Sequence, residues 1–164
     1  MLKSLYFRIY ITILSALLLL SACSSGASPP ATAPVFTVNA RYTAGEFSYS
    51  CVVERTENAV SVTATSTAAT GLCLTCDGSA VTFEKGDMAE AFPLSETRKT
   101  NPAAVLYSVF ADVFGPAPPA PQEQDGLFYY RGSSAVGDYA LSVNADGSLN
   151  TLSVPSAGIS VVFD

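Results

Sequence analysis

Cys23 carries the plainest chemistry in the chain. It ends the run Leu20-Ser21-Ala22-Cys23, a lipobox, in which small residues before the cut leave the cysteine thiol to accept a diacylglyceryl group. Lys3 and Arg8 give a basic start, residues 9–20 an apolar stretch, and Ser21 and Ala22 the small residues at the cleavage point. An apolar run of about a dozen residues falls short of the ~20 that cross a bilayer. A permanent transmembrane anchor is therefore the weaker reading, and a cysteine directly after Leu-Ser-Ala speaks against an ordinary secretory cut elsewhere. The expectation is a signal peptide over 1–22, an acylated Cys23 at the new amino terminus, and a protein held on the extracytoplasmic face of a cell membrane. Two or more acyl chains hold a protein there stably where a single one does not. Ser24 follows Cys23 where an aspartate would be the inner-membrane retention signal of a two-membrane cell.

The remaining candidates are weaker. The sequence holds no histidine, which excludes Ser-His and Cys-His nucleophiles and imidazole zinc ligation. Asp77, Glu84, Asp87 and Glu90 cluster in sequence, yet fall at turns and wet strand positions where solvated charge is expected. Cys73-Leu74-Thr75-Cys76 spells C-x-x-C, whose reactive forms open a helix. Its surroundings alternate as a strand does, so the two thiols point to opposite faces ~10 Å apart, beyond the reach of a disulfide. Cys51 and Cys76 share a face with one strand between them, again about 10 Å. Three free thiols are expected, acting as small hydrophobes, which suits a reducing or anaerobic habitat better than an oxidising periplasm. No catalytic residue, metal ligand or cofactor is expected, and an enzyme is the least favoured class.

Cleavage before Cys23 leaves 142 residues with six Lys and Arg against fourteen Asp and Glu, a net charge of −8. That length suits one domain with a sizeable core. The acidity argues against nucleic acid or an anionic headgroup held by overall charge and reads most simply as a solubilising surface.

The elements that would position these groups follow from periodicity. Residues 24–34 are a Ser/Pro/Ala tether with nothing to pack. From Val35 to Lys85 apolar residues alternate: Phe36, Val38, Ala40, Tyr42; Phe47, Tyr49, Cys51, Val53; Val60, Val62, Ala64; Leu72, Leu74, Cys76; Val81, Phe83. Short turns at Ala44-Gly45, Thr56-Glu57-Asn58 and Asp77-Gly78 make this a five-stranded antiparallel meander with one dry face. Asn101 and Pro102 then cap and start a helix over 102–114, whose Val105, Leu106, Val109, Phe110 and Val113 recur at helical spacing. Tyr107 and Phe114 widen the apolar surface until only Ser108 and Asp112 form a polar stripe. Either the sheet curls around such a helix, or its uncovered side meets a ligand or partner. Prolines at 116, 118, 119 and 121 point to a loop over 115–126, and strands over 127–131, 138–144, 149–154 and 159–163 close the chain. The eight Tyr and nine Phe, with no Trp, fill a core or line a cavity. The hydroxyls of Tyr42, Tyr49 and Tyr139 need partners on apolar faces.

In this order, Gly71-Leu72 leading through Asp77-Gly78 to Val81 and Phe83, then Gly137-Asp138-Tyr139, Asp146-Gly147, Leu152, Pro155 and Val161-Val162-Phe163, the chain resembles the LolA-like superfamily of bacterial lipoprotein carriers and LppX-type lipoproteins over residues 35–164. The resemblance implies a half-open antiparallel barrel with helices across its mouth and, in several members, lipids or acyl chains in the hollow. It carries over no catalytic residue. Only one long helix is evident where the family has more.

The fold expected is therefore mainly β (α+β): a curled antiparallel sheet or half-barrel of about nine strands in a single domain, 35–164, around one long apolar helix. The leading function is a non-enzymatic module holding a lipid or other apolar ligand, with Val105, Leu106, Val109, Phe110 and Val113 lining a hollow between sheet and helix. The alternative is a structural or interaction lipoprotein with a solid core and a protein partner.

Overall fold

The first strand, β1 (Phe36–Ala44), turns at Gly45-Glu46 into β2 (Phe47–Arg55). Gly45 takes the positive φ (+60°) that so tight a connection needs. Alternation then decides which face is dry: Ala40, Tyr42, Cys51 and Val53 are buried, whereas Thr37, Asn39, Arg41 and Glu54 are exposed. Alternation continues, buried against half-buried, through β3 (Val60–Ala64) and β4 (Cys73–Cys76); β5 (Ala80–Lys85) buries Val81, and β6 (Met88–Pro93) follows it. After the helix α1 (Pro102–Val113) come β7 (Gln122–Gln124), β8 (Leu127–Ser134), β9 (Gly137–Asn144), β10 (Leu149–Val154) and β11 (Ile159–Phe163). This is a computed structural model, and it describes residues 28–97 and 100–164. The expected signal peptide over 1–22, Cys23 and the start of the expected tether lie outside the described residues; residues 28–34 have no regular structure. No helix among the described residues is long and apolar enough to cross a membrane.

All eleven strands form one antiparallel sheet, ordered β6-β5-β4-β3-β2-β1-β11-β10-β9-β8-β7. Two meanders are thus stitched together where the first strand meets the last, with Ala40 opposite Phe163 and Tyr42 opposite Val161. The sheet is mainly β as expected, but eleven strands replace about nine. Both additions are edges. The segment after Lys85 re-enters the sheet as β6, and the expected loop over 115–126 contains β7, turning at Asp125-Gly126 where both φ values are positive (54° and 78°). Every residue of either edge strand is exposed, so burial leaves no contrast for a sequence pattern to report. Pro93 closes β6 and Pro121 precedes β7, where a missing N–H costs a sheet edge little.

The sheet is unclosed yet curled. α1 touches β3 and β4 as well as β8, although β4 and β8 stand seven strand steps apart, about 34 Å if the sheet were flat. A helix about 10 Å wide can reach both only if the sheet wraps around it. Asn101 caps α1, its side-chain oxygen accepting from the Ala104 N–H at 3.1 Å with Pro102 in the first turn. The helix stops at Val113, and Phe114, expected inside it, is the cap. Phe110 sits at the centre, its ring 5.3 Å from Phe36 edge-on and 6.5 Å from Phe163. Each such fully buried side chain contributes roughly 1.5–3 kcal/mol by leaving water.

Candidate functional site

Beyond the helix, the hairpin of β5 and β6 keeps its inward face partly uncovered. The register sets Phe92 opposite buried Val81, Glu90 opposite Phe83 and Met88 opposite Lys85. Phe83 and Phe92 meet edge-on, 5.5 Å between centroids. After Pro93 the chain makes a 3-10 turn, Leu94–Glu96, whose first N–H donates to the Ser79 carbonyl at 2.9 Å. Just before α1, Tyr42 donates to the Thr100 carbonyl at 3.3 Å.

Beside the hairpin lies a cleft of ≈ 570 Å³ floored by Phe83 and Phe92 and rimmed by Glu90, Glu96, Thr97, Thr100 and Asn101. Thr97 also lines a second cleft of ≈ 400 Å³, which runs along the uncovered face of α1 over Ala104, Tyr107, Ser108 and Ala111, flanked by Leu94 and Val136. Tyr107 and Ala111 in turn also line a third, of ≈ 210 Å³, with Arg55, Glu57 and Phe114 in its walls. Towards the tip of the β5–β6 hairpin, a further hollow of ≈ 750 Å³ shares Phe83 and Glu90 with the first and adds Leu72, Lys85 and Met88.

Two glycines let the aromatic walls come close. Tyr107 lies on Gly78 (φ +89°), where a Cβ would stand 2.7 and 2.9 Å from its ring carbons. Tyr139 donates to Asp112 across Gly132. Arg55 belongs to the inward row Phe36, Arg55, Val60, Cys76, Val81, Phe92. Its guanidinium donates to the Pro34 carbonyl and stacks 4.7 Å from the Phe114 ring centre. Burial lowers its proton affinity and the Tyr107 phenol opposes the shift, but an arginine stays charged.

The five helix residues expected to line a hollow sit elsewhere. Val105, Leu106, Val109 and Phe110 are 0% exposed and Val113 5%, all within the central core. None lines any of these four clefts. A ligand held by those five would have to lift the helix off the sheet. The openings lie instead on the opposite helix face, around Tyr107, Ser108 and Ala111, and over β6. Phe92 and Met88 were the residues the sequence reading missed; the signal was the continued alternation Met88, Glu90, Phe92 after the Gly86-Asp87 turn. Glu90 is exposed, as expected of solvated charge, and its place opposite Phe83 sets it at the rim of the cleft.

The thiols are where alternation placed them. Cys76 and Cys51 are buried and Cys73 half-buried, and all three are free. Cys51 lies on β2 opposite Ala64 while Cys76 lies on β4 opposite Val60, so they are offset along the strands as well as separated by β3. Burial pushes the Cys51 thiol up to about 11 and that of Cys76 upward as well, which leaves them protonated and poor nucleophiles. Asp77 is a turn residue: its carboxylate accepts from the Ser79 and Ala80 N–H groups at 2.8 and 2.9 Å and from the Ser79 hydroxyl at 2.8 Å. These bonds hold it below the usual carboxylate range. Among the described residues no three His, Cys, Asp or Glu gather as a metal site would require.

No protein-family model matches the chain, and no curated protein does. Among solved structures it is similar to a LolA superfamily protein from Nitrosomonas europaea, at 16% identity and a TM-score of 0.39, over 79% of this chain and 83% of that one. A likeness at that level decides neither fold nor ligand.

Proposed function

We propose that this chain is an extracytoplasmic lipoprotein of LolA-like character, anchored through acylated Cys23, that holds an apolar or amphiphilic molecule without transforming it. One observation carries the reading: two neighbouring clefts, open to solvent, are lined by Phe83, Phe92, Leu94 and Val136 although the helix–sheet interior behind them is already filled. Volumes of this size are those of small-molecule sites, apolar with a few polar groups at the rim. The neutral, buried thiols and the lack of histidine support binding over catalysis.

The filled interior also favours a second reading, a structural lipoprotein with a solid core and a protein partner. Native mass spectrometry of the full chain, gently extracted from its membrane, separates the two. A co-purifying mass that is lost when Phe92 is replaced by serine supports the binding module. A clean apo mass in every preparation, with a protein recovered instead, supports the second.

A further inference from the structure

We infer that the ligand is a long-chain carboxylate, its headgroup paired with Arg55 and its chain lying along the uncovered face of α1; the inference rests on the binding function proposed above. Arg55 is a cation on the dry face of the sheet. Its partners among the described residues are neutral, the Pro34 carbonyl and the Phe114 ring, and a partly desolvated charge is costly until an opposite one meets it. One N–H of the planar fork is given to Pro34, and the rest suit a carboxylate in two-pronged geometry. The net charge of −8 expected after cleavage before Cys23 repels anions at long range, but it does not cancel a local pairing in a pocket of ≈ 210 Å³. Glu57 lines the same pocket, so a ligand with one negative charge is repelled less there than a phosphate dianion.

The chain path follows from the walls the two pockets share. Tyr107 and Ala111 line both the Arg55 pocket and the ≈ 400 Å³ cleft, where Ala104, Ser108 and Ala111 are small enough for an alkyl chain to lie on the helix, between Leu94 and Val136. That volume fits one acyl chain.

The test uses the full chain in isolated membranes, a diazirine-bearing long-chain fatty acid, the matching long-chain alcohol, and peptide mapping after photolysis. The acid is expected to label residues 104–111 and 135–136 about tenfold more than the alcohol, the margin of one charge-assisted pair. R55Q, which keeps a donor for Pro34, should remove that margin, and A111L, whose side chain fills the cleft, should remove labelling there by both probes. Equal labelling by acid and alcohol, or an unchanged margin in R55Q at an unchanged melting temperature, overturns the inference. Competition by acetate as effective as by unlabelled fatty acid also overturns it, because the site would then take free anions. Labelling of Phe83 and Phe92 alone, indifferent to charge, removes the inference and leaves the binding function standing. No labelling of the chain by either probe removes both.

Discussion

Tyr139 on β9 donates its phenolic hydrogen to Asp112 on α1, and the bond passes over Gly132 on β8, which sits directly opposite Tyr139 in the sheet. This bond latches the carboxyl end of the helix to the late meander, as Tyr42 latches the segment before its amino end to β1. A Cβ at position 132 would stand 2.6 Å from the Tyr139 oxygen and 2.7 Å from an Asp112 oxygen. G132A should therefore break the latch by crowding and destabilise by about 1–3 kcal/mol. Y139F removes the bond alone and should cost about 1–2 kcal/mol. Urea titrations of both singles and the double would show strong non-additivity, since each removes the same contact; additive losses would mean that the latch contributes nothing.

High pH should unfold the domain in stages. Burial raises Cys51 from 9.0 to about 11, and it raises the hydroxyls of Tyr42, Tyr49 and Tyr139 above their ordinary 10.0, with Asp112 adding to the shift at Tyr139. These groups are neutral when protonated, so a raised folded value means the unfolded chain releases its protons first. Stability is complete below pH 9, starts to fall as the unfolded thiol titrates, and falls further beyond pH 10 as the unfolded phenols follow. Urea midpoints measured from pH 7 to 11 should decline only above about 9, and C51A should flatten the first part of the decline. A curve level to pH 11 would contradict the burial of these groups.

Core and cleft should separate by mutation. F110A deletes a ring with no exposed surface and should cost about 3–5 kcal/mol. Phe92 is 37% exposed on an edge strand, so F92S should cost about 1 kcal/mol or less. If the clefts hold the ligand, F92S lowers the co-purified mass in native mass spectrometry while the melting temperature barely moves. A large loss of stability in F92S, with the ligand retained, would place Phe92 in the core instead.

The parts of this architecture legible in the sequence were those with local cause. Asn101-Pro102 announced the helix, alternation announced nine strands, and the inward parity of Cys51 and Cys76 kept the thiols apart. What escaped depended on distant or exposed residues. Nothing near Ala40 says that it will face Phe163, because that pairing joins the two ends of the chain. The floor of the first cleft depended on β6, an edge with every residue exposed. Arg55 was in principle readable: counting two past Val53 turns it inward, but a charge at a strand end looks like ordinary solvated surface until the Phe114 ring and Pro34 are seen beside it. The helix face was misassigned for a related reason. Val105, Leu106, Val109, Phe110 and Val113 satisfy each other and the curled sheet, and the smaller Ala104, Ser108 and Ala111 leave the space.

Anchoring is decided at a single atom, the Cys23 sulfur. The tether that follows holds no regular structure from residue 28 to 34, and the Arg55 guanidinium grips it at Pro34, next to the first strand. Eleven residues, 24–34, lie between Cys23, the proposed site of acylation, and Val35, up to about 40 Å of extended chain, enough to hold the domain clear of headgroups. Cells given an alkynyl fatty acid should label the wild-type protein and not C23S, and intact mass of the wild type should begin at Cys23 with acyl chains added. C23S should also lose the acyl-dependent share of its membrane binding. An unlabelled wild-type chain beginning at Met1 would refute the anchor and, with it, the extracytoplasmic setting in which a lipid ligand is proposed.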